Sequence, residues 1–348
     1  MPKGTRRKRR GKRGGHELAR PEYCPVGHIG PSREPPLAPF IRHDPGVDAD
    51  LSFKDLFYNR RAKVKDITPN LGTEIKGIQL TELGPEGKQQ LALFVAQKKV
   101  VVFRNQTFAS LPPKDLLEYS SFFGRNHVHT VLRTPVSHPE ISVIFHGANE
   151  VSDTTTFQWH TNSTFWHSDV SYEQQPPGTT FLYYLQGPAS GGDTIFVNQV
   201  AAFRRLSPAF QGFIRGLRAV HSGHQQAQDA IMRGYALRRD PIETVHPVVR
   251  IHPVTGEEAL FVNPQCGVLV FDIQCRVKWE KGTVVVWDNR VTAHTGLTDF
   301  PNGQVRHLAR LTPQAEVPYA RIDMPYQVSV PQGASDAKWT GENDVIVK

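Results

Sequence analysis

The stretch FWHSDVSYEQQPPG, Phe165–Gly178, sets a histidine and an aspartate two residues apart, His167 and Asp169, and then leaves through two prolines and a glycine. Residues i and i+2 of an extended strand project to the same face. Both side chains can then reach one cation, while Trp166, Ser168 and Val170 point the other way. The run TTFLYYL (179–185) that follows is β-branched and aromatic, the composition of a next strand. In a chain with 15 histidines an H-x-D pair is a weak signal alone. Its meaning depends on partners elsewhere.

Those partners come late in the chain. GTVVVWDNRVTAHTG (282–296) reads as a buried strand, a polar turn and then His294, 127 residues beyond His167. Arg306 and Arg310 follow 12 and 16 residues after His294 in the β-like run VRHLARLTP. Being four apart, they share a face with Leu308, while His307 and Ala309 face away. A cation turned into a fold is costly unless it meets an anion. Guanidinium grips carboxylate or sulfonate with paired hydrogen bonds. Two histidines and one carboxylate with open positions form the facial triad of non-haem Fe(II) oxygenases, whose free sites admit a bidentate co-substrate and O2. Structural zinc is disfavoured, because the three cysteines, Cys24, Cys266 and Cys275, form no C-x-x-C pair.

Around these residues, short β-like runs alternate with Gly/Pro turns from about residue 127 onward: ISVIF, TTFLYYL, GGDTIFVN, HPVVRIHP, EEALFVN, GTVVVWDNR and VRHLARLTP. Many short strands of this kind predict a sandwich or barrel. A strand-like stretch is expected over Ile67–Leu80, a helix over GKQQLALFVAQ, a strand over Val100–Phe103 and a helix over PPKDLLEYSSFFG. One further helical segment, VAAFRRLSPAFQGFIRGL, interrupts the strands. There is no GxGxxG or GxxxxGK[ST], so dinucleotide and P-loop chemistry have no support. No apolar run reaches the roughly 20 residues of a membrane helix, and no secretory h-region is present.

The net charge of +8 is local. Residues 3–13, KGTRRKRRGKR, hold eight basic residues and no acidic one; without them 33 Lys and Arg face 33 Asp and Glu. The body is neutral, which disfavours nucleic acid as its main partner. The basic run is expected to be disordered and reads as a bland leader or a nuclear address.

Taken together, WHSDVSYEQQPPG, GGDTIFVNQVAAFRRLSP, HPVVRIHPVTGEEALFVNPQ and VVVWDNRVTAHTGLTDF…RHLARLTP resemble the TauD/TfdA (taurine dioxygenase-like) family, and within it the fungal sulfonate dioxygenases. The likeness covers about residues 64–318. It implies a mainly β fold with flanking helices, a double-stranded β-helix or jelly roll. It implies Fe(II), 2-oxoglutarate as co-substrate and O2. By the same resemblance His167, Asp169 and His294 match the iron ligands, Thr194 and Arg306 the residues that hold the distal carboxylate of 2-oxoglutarate, and Arg310 the arginine that neutralises the substrate anion. His129 matches a histidine that helps bind that anion; the alternative for it is a solvated loop position, and His127 shares its face. The implied reaction hydroxylates a small anion, an organosulfonate such as taurine, giving succinate, CO2, aldehyde and sulfite. A sulfate ester, an aryloxyalkanoate or another carboxylate would satisfy Arg310 equally.

One region departs from the family. After EEALFVNPQ the family continues through an aromatic-containing segment and a helix, whereas here Gln265 is followed by CGVLVFDIQCRVKW. Several tens of residues are missing near 266–272, and Cys266 stands where an aromatic substrate contact is expected. This leaves an active enzyme and a truncated non-catalytic member both open. The expected organisation is a basic tail and extended arm over 1–63, a dioxygenase domain over 64–325 and a tail over 326–348. The expected setting is cytoplasmic, or nuclear through residues 3–13, with a homodimer or homotetramer implied by the resemblance.

Overall fold

The computed structural model describes residues 18–27, 33–59, 61–147, 166–263, 271–301 and 303–323. The basic run at 3–13, Cys266 and the tail beyond 325 lie outside them. Two sheets face each other. The larger has seven strands in the order β1 (Lys63–Asp66), β2 (Thr73–Lys76), β3 (Val100–Phe103), β12 (Val284–Asp288), β5 (Thr179–Gln186), β14 (Arg306–Leu311) and β4 (Ile141–His146). The smaller is β11 (Gln274–Val277), β6 (Thr194–Asn198) and β13 (Thr292–Gly296), with His167 bridged to His294 at its edge.

The apolar runs explain why the larger sheet sits in the middle. VVVF and VVVW are buried at every position, the pattern of strands covered on both faces. Val101, Phe103, Phe181, Tyr183, Val284, Val286 and Leu311 pack with the helix α1 (Pro85–Lys98). Their alternate neighbours Val100, Val102, Leu182, Val285, Trp287 and Leu308 pack with Phe196, Cys275 and Val277 of the smaller sheet. Each such fully buried side chain contributes about 1.5–3 kcal/mol. The jelly-roll expectation therefore holds, with helices on the outer face and the smaller sheet on the inner one.

Details differ from the sequence reading. Ile67–Leu80 is not one strand: Ile67 accompanies a turn, and Lys63–Asp66 pairs with Thr73–Lys76 as a hairpin. Gly72 at φ +87 makes that turn possible. The helical segment after Asn198 is two helices, Gln199–Arg204 and Pro208–Arg215. Ser207 caps the second through Phe210 N, and Pro208 cannot continue the first. An unanticipated helix spans His224–Met232, between the paired strands Arg218–Ser222 and Glu243–Pro247.

Order also begins before Ile67. The arm carries buried Tyr23, Asp44, Phe53 and Leu56. Asp44 is held by an ionic cluster: Arg290 donates to it at 2.5 Å and to Asp288 at 2.6 Å, while His252 Nε2 lies 2.8 Å from Asp288. Burial alone would raise the Asp288 carboxyl, but Arg290 and His252 hold it well below the usual range. The cluster pins the β12–β13 turn to the arm. The polar arm has no periodicity to signal this, and the Asp44–Arg290 pair spans 246 positions.

Candidate active site

β6 and β13 pair antiparallel, with His294 opposite Phe196. His167 then adds to the outer edge: His167 N donates to His294 O at 3.1 Å, and His294 N donates back to His167 O at 2.9 Å. This bridge brings the two imidazoles together, ring centroids 4.4 Å apart. The regular strand ends there. Asp169 lies in a turn, not an extended strand, and Val170 adopts φ +37. A β-branched residue in that region is strained, and the strain accompanies a sharp exit that keeps Asp169 facing the histidines. Asp169 Oδ1 lies 3.5 Å from His167 Nε2 and 3.7 Å from His294 Nε2. One ligand atom from each of the three lies within 4.8 Å of the others. Asp169 and His294 are buried, while the His167 side chain is 44% exposed and open to an incoming ligand.

The donor set fits a divalent cation. Asp169 Oδ2 and His294 Nδ1 are buried without a hydrogen-bond partner among the described residues. A buried acceptor left bare costs free energy that a ligand can recover. Burial pushes the His294 imidazole down to about 3, so it is neutral and able to coordinate. Burial opposes the charged Asp169 carboxyl, yet Arg310 foremost, with His294 and His167, keeps it ionised far below the usual range. Imidazole and a hard carboxylate oxygen suit Fe(II), which these three residues would hold with positions left for other ligands.

Arg306, Leu308 and Arg310 do share the inward face of β14; Leu308 packs in the inter-sheet core, while His307 points away, with Nε2 3.1 Å from Tyr23 O. Arg310 Nη1 donates to Asp169 Oδ1 at 2.5 Å. Its Nε is buried and has no hydrogen-bond partner among the described residues. Arg306 Nε donates to Gly192 O at 2.8 Å, and its Nη2 lies 3.5 Å from Thr194 Oγ1. Burial lowers the Arg306 guanidinium to about 10, with Asp193 and Asp299 opposing the shift, so it is cationic at neutral pH. Trp279 Nε1 donates to the same Thr194 hydroxyl at 3.1 Å.

His129 is buried rather than solvated. Its Nδ1 accepts from Val131 N at 3.1 Å and Leu132 N at 3.2 Å, which leaves the proton on Nε2. Burial, then the charge of Arg310, pushes this ring well down. The His127 ring meets it edge-on, centroids 6.1 Å apart, but turns its hydrogen bond elsewhere. Its Nε2 is 2.9 Å from Glu173, which Arg239 also holds at 2.8 Å.

Sequence reasoning missed two asparagines. Asn289 Oδ1 accepts from Asp169 N at 2.8 Å, and its Nδ2 donates to Asp169 O at 3.2 Å. Asn263 Oδ1 accepts from Ser168 N at 3.1 Å, and its Nδ2 donates to Ser168 O at 3.0 Å. For Asn289 a signal existed: a polar D-N-R run directly after VVVW has to be buried and therefore paired. Asn263 had none.

Comparison with known proteins agrees with this geometry. The family model described as taurine catabolism dioxygenase TauD, TfdA family matches residues 63–270 and 269–312. An alpha-ketoglutarate-dependent sulfonate dioxygenase from Saccharomyces cerevisiae is 40% identical over 86% of this chain and 78% of its own length. An alpha-ketoglutarate-dependent sulfate ester dioxygenase from Pseudomonas putida is 29% identical over 73% of this chain and 90% of its own. The crystal structure of a taurine dioxygenase from Burkholderia xenovorans superposes with a TM-score of 0.58 at 29% identity, covering 76% of this chain and 94% of that one. The chain belongs to the TauD/TfdA family of dioxygenases, which depend on Fe(II), 2-oxoglutarate and O2.

Proposed function

We propose that this dioxygenase hydroxylates a small organosulfonate at the carbon bearing sulfur. His167, Asp169 and His294 would hold Fe(II). Arg306 and Thr194 would take the distal carboxylate of 2-oxoglutarate, with Gly192 O and Trp279 fixing their orientation. Iron, when bound, supplies O2 chemistry that couples decarboxylation of 2-oxoglutarate to succinate and CO2 with hydroxylation of a substrate carbon. An α-hydroxysulfonate then breaks its C–S bond to give aldehyde and sulfite.

The observation that carries the substrate reading is the bare, buried Nε of Arg310. A buried guanidinium donor without a partner among the described residues, whose charge acts on the His129 ring, asks for an anionic oxygen. The sulfonate and sulfate ester chemistry of the relatives supports the same choice. Incubating the chain with Fe(II), 2-oxoglutarate, O2 and either taurine or a short alkyl sulfate tests it. Sulfite with succinate is expected from taurine; sulfate release from the ester alone would replace the sulfonate reading with the ester one.

The split of the family match, 63–270 and then 269–312, supports a family segment missing at the junction after Gln265. Sequencing the transcript across that junction tests it. A domain over 64–325, a cytoplasmic setting and a homodimer or homotetramer complete the proposal. Among the described residues no helix is long and apolar enough to cross a membrane. Light scattering of the purified chain measures the assembly.

A further inference from the structure

We infer that Asn263 and Asn289 are positioning residues that preset the metal-binding turn, each acting as a stand-in for a missing strand neighbour. A strand partner would offer one carbonyl and one N–H to each residue it pairs with. The regular pairing stops at His167, whose backbone exchanges both bonds with His294. The next two residues receive the same pair of bonds from side-chain amides. Asn263 accepts from Ser168 N and donates to Ser168 O; Asn289 accepts from Asp169 N and donates to Asp169 O.

Each amide is also tied to a second point. Asn263 Nδ2 lies 2.8 Å from Ser171 Oγ, and Asn289 Nδ2 lies 3.3 Å from Pro177 O. Asn289 N donates to Gly178 O at 3.1 Å, and Ser168 Oγ donates to Thr292 O at 2.8 Å. The turn from Ser168 to Gly178 is thus held from two directions. One is the β12–β13 turn, which carries Asn289 and is itself fastened by the Asp288–Arg290–Asp44 cluster. The other is the chain just after β10 (Glu258–Leu260), which carries Asn263 immediately before the junction where the family match divides.

The clamp has a physical task. Val170 at φ +37 is held against its own preference. Without fixed neighbours the turn would relax toward extended backbone and carry Asp169 away from the two histidines. Preorganising the carboxylate lowers the ordering cost of metal binding.

This rests on the iron reading above, and the test separates the two. Metal-free wild type, N263A and N289A are compared by hydrogen exchange read residue by residue, and Fe(II) binding is then titrated anaerobically. N263A is expected to release the Ser168 amide selectively, and N289A the Asp169 amide. Fe(II) affinity should fall roughly 10- to 100-fold in N289A, in line with lost outer-sphere partners, and less in N263A. N263D retains the acceptor and should keep the Ser168 amide protected. If N289A fails to fold, N263A and N263D carry the comparison at a partly exposed position. Exchange that rises uniformly over the fold, or variants that bind Fe(II) as wild type does, would overturn the clamp alone. A wild type with both amides protected and no Fe(II) binding would overturn the iron reading, and this inference with it.

Discussion

Arg310 faces Asp169 and, on the reading proposed above, the substrate anion, and removing its charge should separate the two roles. Its Nη1 sits 2.5 Å from Asp169 Oδ1, with both side chains buried. Deleting one member of a buried pair leaves the other charge uncompensated and costs about 3–5 kcal/mol. For R310M this corresponds to a loss in melting temperature on the order of 10 °C. A divalent cation bound by Asp169 restores the missing countercharge. Adding Mn(II) or Fe(II) anaerobically should therefore raise the melting temperature more in R310M than in wild type. The affinity for the metal should not fall, because a repelling guanidinium has gone. Stimulation of succinate formation by a sulfonate should be lost, since the anion has no partner. Differential scanning fluorimetry with and without metal, plus a succinate assay, reads all three. A folded R310M that binds Fe(II) tenfold more weakly than wild type would refute the reasoning. Arg310 would then be a prop for Asp169 and not its competitor for charge.

Three further outcomes are expected. R306M should weaken 2-oxoglutarate binding to the Mn(II)-loaded chain by roughly 10- to 150-fold, the value of about 1.5–3 kcal/mol for charge-assisted hydrogen bonds, with R306K intermediate; calorimetry measures it. Glu173 is disfavoured by burial but held at about 2 by His127 and Arg239. Its stabilisation, about 3 kcal/mol, is complete above the ordinary carboxylate range and is lost as pH falls from about 4.5 through about 2. E173Q should lower stability at neutral pH and flatten that acid limb in urea unfolding. Cys275 is buried and pushed up to about 12, while Cys24 is exposed. A thiol reagent at pH 8 should label Cys24 in the folded chain and reach Cys275 only on unfolding, as peptide mapping would show.

The architecture was legible where the chain repeats a simple period. VVVF, TTFLYYL, VVVW and RHLARL each announce a strand, and alternation on the last places Arg306, Leu308 and Arg310 on one face before any coordinates are known. The triad could be read because chemistry demands particular side chains: His167, Asp169 and His294 are few, ordered and framed by specific motifs. Periodicity does not reach local turns: an extended segment would put Asp169 on the His167 face, and Ile67–Leu80 reads as one element, whereas the turns at Val170 and Gly72 each depend on a single backbone angle.

The sequence by itself determined the residue types of the site, the strand that carries Arg306 and Arg310, and the family the chain belongs to. Only the tertiary structure decided that Arg310 rests on Asp169, that His127 goes to Glu173 while His129 is buried on the Val131 and Leu132 amides, and that Asn263 and Asn289 bond the turn. The reason is the range of the interaction. A strand's apolar period is written in neighbouring residues, so it survives in one dimension. The bond from Asn263 to Ser168 spans 95 positions and that from Asn289 to Asp169 spans 120. Such pairs exist only once the two sheets have packed and water has left the space between them, where each buried polar atom must find a partner or remain bare.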